Sequence, residues 1–146
     1  MLKSRKRVEA RWAPGRRAAL AVAGFLCGAG GDRARAGESW QAPETVAVMK
    51  NPVGSTEGGI AQGRKIYETR CADCHGAKGK GDGPAAADLD PKPGDLSRAA
   101  MNGQSDGALF WKVSEGRKPM PTYKSKLSDE QRWQVVTYVR TLAGKK

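Results

Sequence analysis

The sequence has 146 residues, enough for one small domain, and carries 26 basic and 15 acidic side chains for a formal net charge of +11. A charge of this size would suit a nucleic-acid-binding protein, but much of it lies near the N-terminus. Without residues 1–36, 17 basic and 13 acidic residues remain, and the net charge is +4. Charge therefore gives no support to nucleic-acid binding by the mature chain.

Residues 1–36 have the three parts of a secretory signal peptide. The basic start MLKSRKRVEARWAPGRR precedes the apolar run AALAVAGFLCGAG, and Ala34-Arg35-Ala36 has the A-x-A form of a cleavage site. The apolar run has about 13 residues, fewer than the roughly 20 that span a bilayer. An uncleaved anchor is the less favoured alternative. We expect cleavage near Ala36, a periplasmic mature protein and no membrane span in it.

Residues 37–54 contain two prolines and no sustained helical period, and they are predicted to form an extended N-terminal arm. The remaining domain, residues 55–146, begins with a helix predicted from about residue 56 to residue 69. Ser55 is its expected N-cap. Gly63 is unfavourable inside a helix, so it is expected to mark the close approach of another helix.

Residues 76–95 are so rich in glycine and proline that they predict a loop, with at most a short turn around residues 85–89. A second helix is predicted over residues 106–115. Ser105 precedes it as N-cap, and Gly116 follows it at a position where glycine commonly ends a helix.

The last helix has the clearest signals. Ser128 and Gln131 have the spacing of a capping box. Val135 and Val139 belong to one apolar face, and Gly144 follows as the stop signal.

The stretch CADCHG, residues 71–76, contains two cysteines and the one histidine of the chain. Zinc, a dithiol redox centre and a covalently attached haem could each use it. Zinc needs three or four well-placed protein ligands, and the adjacent Cys74 and His75 chelate one small ion poorly. A redox dithiol usually follows a strand in a βαβ unit, whereas here a predicted helix precedes the motif.

Haem suits the spacing better. Cys71 and Cys74 share one face of a helical turn, so both thiols can bond to neighbouring vinyl groups of a porphyrin, and His75 can reach the iron. C-x-x-C-H is the attachment signature of c-type haem. A large apolar cofactor would also enlarge the modest core of a chain of this size.

Four segments together, GRKIYETRCADCHG, GKGDGP, EGRKPMP and LSDEQRWQVVTYVRTL, resemble the small monohaem c-type cytochromes of bacteria, class I. The resemblance covers residues 56–143. It implies an all-α fold in which the N- and C-terminal helices cross, with a short middle helix and loops wrapped around one covalent haem.

The resemblance also implies site residues. Met120 matches the methionine that serves with His75 as an axial ligand of the iron, and thioether ligation raises the haem potential. Met101 is the less favoured alternative. Pro84 matches the proline whose carbonyl accepts a hydrogen bond from the ligating histidine. Gly63 and Tyr138 match the contact between the crossing helices.

With both axial positions occupied, the expected function is one-electron transfer and not enzymatic catalysis. Redox partner proteins are the expected partners, docking at a basic rim formed by Arg117, Lys118, Lys124 and Lys126. A permanently docked subunit of a larger dehydrogenase or oxidase is the first alternative. A haem peroxidase or gas sensor is the second.

Overall fold

Residues 40–144 are described by the structure, a computed structural model. They form five α-helices, Glu44–Ala47 (α1), Glu57–Arg70 (α2), Ala72–His75 (α3), Asp106–Glu115 (α4) and Asp129–Leu142 (α5), and two 3-10 turns, Pro84–Asp88 and Ala99–Gly103. These residues contain no β-strand, which confirms the predicted all-α fold. None of their helices is long and apolar enough to cross a membrane. The predicted signal peptide, residues 1–36, lies outside the described residues.

Helix α2 begins one residue later than predicted. The Thr56 hydroxyl, and not that of Ser55, accepts a hydrogen bond from the Gly59 backbone N–H at 3.1 Å. Both residue types cap helices well. Thr56 has the extended backbone of a cap, whereas Ser55 lies in the preceding turn.

Helix α4 has the predicted bounds, and both α4 and α5 have the predicted N-caps. Ser105 accepts a hydrogen bond from the Ala108 N–H at 3.1 Å, and Gly116 ends α4 with a φ of 66°. Ser128 and Gln131 form the predicted capping box, with bonds of 3.2 and 2.9 Å. Local sequence signals therefore specify both ends of α4 and the first residue of α5.

Helices α2 and α5 cross in close contact. A Cβ atom on Gly63 would lie 2.0 Å from the Gln134 carbonyl oxygen, so only glycine fits. One turn along α2, Tyr67 is fully buried, and its ring centroid lies 5.2 Å from that of Tyr138. The close approach expected at Gly63 is present.

The N-terminal arm is partly helical, in contrast to the extended conformation predicted for it. Pro43 starts the single turn α1, and its carbonyl accepts from the N–H groups of Val46 and Ala47 at 3.0 and 2.9 Å. Helix α1 packs against α4 at Gly107, where a Cβ atom would lie 2.0 Å from the Val46 carbonyl oxygen. One turn is too short to produce a helical period, which explains why the pattern did not reveal it.

Two clusters of buried side chains form the core. Leu109, Phe110, Trp133 and Val136 make up the first, in which Phe110 and Trp133 stack with centroids 4.1 Å apart. Tyr67, Val135 and Val139 make up the second. Helix α5 contributes to both clusters, so it joins α2 on one side to α4 on the other.

The close crossing at Gly63 makes a stability prediction. Gly63→Ala should lower the free energy of unfolding by about 1–3 kcal/mol, because the new methyl group overpacks a backbone contact. Gly58→Ala in the same helix is the matched control, since a Cβ atom there meets nothing within 4 Å. That change should stabilise by about 0.5–1 kcal/mol through the lower flexibility of alanine. Denaturant unfolding measures both, and a neutral Gly63→Ala would contradict the packing argument.

Candidate cofactor site

The C-x-x-C-H segment forms a separate helical turn after α2. Helix α2 ends at Arg70, and Cys71, with φ −122°, breaks the helix. The Cys71 carbonyl then accepts from the N–H groups of Cys74 and His75 at 3.2 and 2.8 Å. Gly76 ends the turn with a φ of 77°. The two cysteines and the histidine are thereby held on one short turn.

All three side chains line a cavity of about 410 Å³. Its walls come from α2, α3, the segment 89–96, α4, the loop 117–123 and α5. Most of the lining side chains are apolar or aromatic: Trp40, Tyr67, Leu89, Leu96, Leu109, Val113, Tyr123, Val135, Val136 and Val139. An apolar cavity with two thiols and an imidazole at its wall suits a large flat apolar group that is bonded to sulfur and carries a metal.

His75 is oriented by Gly94, and the prediction that Pro84 provides the orienting carbonyl is wrong. The ring Nδ1 lies 3.1 Å from the Gly94 carbonyl oxygen. The chain returns to the motif at this point because the Leu96 N–H donates to the Gly79 carbonyl at 2.6 Å. With Nδ1 donating to Gly94, Nε2 is the nitrogen that remains for a metal.

Burial favours the ligating form of His75. Desolvation lowers the pKa of its imidazole below the usual value, and the hydrogen bond to Gly94 partly opposes this. The ring is therefore held neutral over a wider pH range than an exposed histidine, and the neutral ring is the form that binds metal.

The cysteines do not have the properties of a redox dithiol. Both are free, and burial together with the neighbouring Cys74 raises the pKa of the Cys71 thiol to about 12. Catalytic dithiols need a lowered thiol pKa. Within residues 40–144, no three His, Cys, Asp or Glu side chains converge as a metal-binding group. The geometry thus favours haem over both dithiol and zinc chemistry.

Met120 and Met101 both line the cavity. Met120 lies on the loop after α4, where its N–H and carbonyl bond to Arg117 at 2.8 and 3.0 Å. The Met101 sulfur already accepts a hydrogen bond from Gln104 Nε2 at 3.4 Å, and its side chain packs against both core clusters. Met101 therefore has a structural role, which leaves Met120 as the better candidate for a ligand.

Two buried tyrosines hold the ends of the motif, and sequence analysis missed this role. The Tyr67 hydroxyl donates to the Gly76 carbonyl at 2.7 Å, and the Tyr123 hydroxyl donates to the Arg70 carbonyl at 2.5 Å. Arg70 and Gly76 are the residues directly before Cys71 and directly after His75. Nothing local in the sequence points to Tyr123, because its contact with Arg70 joins residues that are 53 positions apart.

Trp40 and Lys112 also line the cavity without having been predicted as site residues. Trp40 comes from the N-terminal arm, and its ring lies 6.3 Å from that of Trp111, centroid to centroid. Lys112 lies next to Trp111 on α4. The arm is thus part of the cavity wall.

Two of the four residues of the predicted basic rim line the cavity, and two do not. Arg117 and Lys118 are exposed and line the cavity. Lys124 instead forms an ion pair with Glu115 at 3.0 Å, and Lys126 lies 5.9 Å from the centroid of the Tyr123 ring. Of the four residues of the predicted rim, Arg117 and Lys118 are therefore the two that line the cavity.

Comparison with known proteins gives consistent matches. Residues 60–143 match the family model described as Cytochrome c. A cytochrome c6 of Parathermosynechococcus lividus is 33% identical over 86 residues, covering 59% of this chain and 93% of that protein. The cbb3-type cytochrome c oxidase subunit FixP of Bradyrhizobium diazoefficiens is 31% identical over 87 residues, covering 59% of this chain but 28% of that protein.

A solved structure of a reducing HAO-like protein complex from Kuenenia stuttgartiensis contains a similar chain. The match has a TM-score of 0.54 and 32% sequence identity, and it covers 62% of this chain. It covers 48% of the other chain, so this protein matches about half the length of that larger one.

The tyrosine hydroxyls predict alkaline sensitivity. Burial raises the pKa of Tyr123 from 10.0 to about 12 and raises the pKa of Tyr67 as well. Above pH 10 the unfolded chain releases these protons while the folded chain retains them. The free energy of unfolding should therefore fall as pH rises from 10 towards 12, by up to about 1.4 kcal/mol per pH unit for each group.

Denaturant unfolding of Tyr123→Phe tests this expectation. At pH 7 the variant should be about 1–2 kcal/mol less stable than the parent, because the Arg70 carbonyl loses its buried donor. Between pH 10 and pH 11.5 its stability should fall less steeply. Tyr138→Phe, a change of the same size outside the two hydroxyl contacts, is the control. Parallel pH profiles for Tyr123→Phe and the parent would contradict the assignment.

Proposed function

Since the chain belongs to the cytochrome c family and carries a covalently attached haem c, we propose that it is a periplasmic one-electron carrier whose iron is bound by His75 and Met120. The observation that carries the proposal is the set of side chains around one apolar cavity. Cys71, Cys74 and His75 lie in its wall, and Met120 approaches it from the separate loop after α4.

Each residue has a defined part in this proposal. Cys71 and Cys74 hold the haem through thioether bonds, and His75 and Met120 supply a nitrogen and a sulfur to its iron. When bound, the haem provides one metal that alternates between the ferric and ferrous states. The thioether of Met120 is soft and neutral, so it favours the ferrous state and raises the potential.

The remaining cavity residues exclude water from the site. The apolar walls from α4 and α5 make the surroundings of the iron less polar, which also favours the less charged ferrous form. Tyr67 and Tyr123 fix the turn that bears the cysteines. The protein thus contributes burial, axial ligands and a rigid frame, while electrons cross at the exposed edge of the cavity.

Periplasmic export is the second part of the proposal. It is supported by the basic, apolar and A-x-A segments within residues 1–36. The mature chain then comprises an arm over residues 37–54 and a haem-binding domain over residues 55–146. Mass spectrometry of the exported protein should give a mass that corresponds to a first residue at or near Gly37 plus one haem.

The alternative function is that of a subunit docked permanently in a larger redox complex, and two of the matched proteins support it. FixP is by name an oxidase subunit, and the matched solved structure is of a protein complex. A free carrier should migrate alone in native purification at near-physiological salt. Stable copurification with a dehydrogenase or oxidase would instead indicate that the protein is a subunit of that enzyme. A reduced form that binds carbon monoxide without mutation would point to the peroxidase or gas-sensor alternative.

Substitution of the axial methionine tests the ligand assignment. Met120→Ala should abolish the far-red absorption band of methionine-ligated ferric haem and allow carbon monoxide to bind the reduced protein. The reduction potential should fall by on the order of 0.1 V, since axial ligands set haem potentials over about 0.8 V. Met101→Ala should keep the band and lose only stability, because Met101 packs against the core. The reverse pattern would assign the ligand to Met101.

The charge at the cavity mouth can be tested with a small anionic oxidant. Oxidation of the reduced protein by ferricyanide should slow with added salt, and Lys118→Gln should slow it roughly twofold at low salt. Lys124→Gln should have a smaller effect, because Lys124 is already paired with Glu115. Stopped-flow absorbance measures these rates. Rates that do not depend on salt would exclude electrostatic docking at this rim.

A further inference from the structure

The charged side chains that line the cavity are all basic. They are Arg70, Lys92, Lys112, Arg117 and Lys118, and no Asp or Glu of the described residues is among them. The haem brings two propionate carboxylates into this cavity. A carboxylate that leaves water requires a charged or hydrogen-bonding partner. The five cations of the cavity wall are the candidates for this partner.

Lys112 has the environment expected of such a partner. Its ammonium nitrogen lies 2.5 Å from Gln104 Oε1 and 5.3 Å from the centroid of the Trp40 ring. Both contacts are with neutral groups, and no ion pair of the described residues includes Lys112. Burial alone lowers the pKa of this lysine. A half-buried ammonium group with no anionic neighbour is unfavourable unless an anion joins it.

The acidic groups on the elements around α4 are engaged elsewhere. Asp106, at the start of α4, pairs with Arg140 of α5 at 2.7 Å, and Glu115, at its end, pairs with Lys124 at 3.0 Å. The other charged groups of α1 and α5 are Glu44, which is exposed, Asp129 and Arg132, which pair with each other, and Glu130, which accepts from Gln134. None of these acids lines the cavity.

The other four cations have different positions. Lys92 donates to the carbonyls of Ala86 and Ala87. Arg70 precedes Cys71, so it lies at the thioether edge, and in haem the propionates project from the opposite edge. Arg117 and Lys118 are exposed on the loop that carries Met120. Lys112 lies on α4, which packs on α1 and α5, whereas the cysteine-bearing α3 packs on α2 and the first 3-10 turn.

We propose that Lys112 is the cation that pairs with one haem propionate, and that Gln104 and Trp40 hold it in place. The Gln104 amide is fixed at both ends, because its Oε1 accepts from Lys112 and its Nε2 donates to the Met101 sulfur at 3.4 Å. Trp40 covers the ammonium from the side of the N-terminal arm. The inference rests on the covalent haem of the proposed function, and it adds a positioning residue for the propionate.

The pairing has a consequence for the reduction potential. A propionate beside Lys112 stays ionised well into the acid range, because a neighbouring positive charge lowers a carboxyl pKa. The potential should therefore change little with pH between about pH 5 and pH 8. Without the lysine charge, the propionate should titrate within this range, and its ionisation should lower the potential because a new negative charge favours ferric iron.

The experiment is a pH series of spectroelectrochemical titrations of the haem-loaded protein. Lys112→Met removes the charge and keeps the length of the side chain, and we expect a new downward step in the potential with rising pH. The pKa of that step should lie at least about one unit above the propionate pKa of the parent, a tenfold change in proton affinity. Lys112→Arg keeps the charge and should retain the flat profile of the parent.

Lys118→Met is the matched control, since it removes a lysine charge from the exposed edge of the same cavity. This variant should shift the reduction potential by a similar amount at every pH, without a new step in its pH dependence. A flat profile in Lys112→Met, or the same step in Lys118→Met, would overturn the assignment. If Lys112→Met does not accumulate with haem, Lys112→Gln should show the step, and a flat profile there would also overturn it. Failure of the proposed function has a different signature: a parent protein without thioether-bound haem or without a reversible one-electron potential.

Discussion

Helices α2 and α5 approach so closely at Gly63 that a Cβ atom there would contact the Gln134 carbonyl. This approach places the end of α2, and hence the cysteine-bearing turn that follows it, beside the valines of α5 that line the cavity. Helix α5 also packs on α4 through Phe110 and Trp133. The crossing at Gly63 therefore helps to determine the distance between α2 and α4, which lie on opposite sides of α5. The absence of a side chain at Gly63 thus affects the width of the cofactor cavity.

The position of the C-x-x-C-H turn then depends on hydrogen bonds to its ends. Tyr67 and Tyr123 donate to the carbonyls on either side of the motif, and Gly94 accepts from the histidine inside it. These three contacts come from a helix, a loop after α4 and the long glycine-rich segment. Loops with little regular structure therefore contribute as much to the orientation of the metal ligand as the helices do.

Local signals in the sequence predicted several features that depend on neighbouring residues, although the cap of α2 lies at Thr56 and not at the expected Ser55. The caps at Ser105 and Ser128 and the short spacing of Cys71, Cys74 and His75 involve residues within one helical turn, and the first two are confirmed by the structure. The contacts that were missed join distant positions. Tyr123 and Arg70 are 53 residues apart, and the choice of Gly94 over Pro84 depends on how the intervening loop folds back, which composition does not specify.

The presence of Trp40 in the cavity wall gives the N-terminal arm a thermodynamic role. Since the arm docks through Trp40 on Trp111 and Lys112, release of the arm would expose both the aromatic pair and one side of the cavity to water. Docking of the arm and reduction of the haem are then thermodynamically coupled. The free energy by which docking favours or disfavours reduction equals the free energy by which reduction favours or disfavours docking. A partner that grips the arm would shift the potential without touching the iron or its ligands.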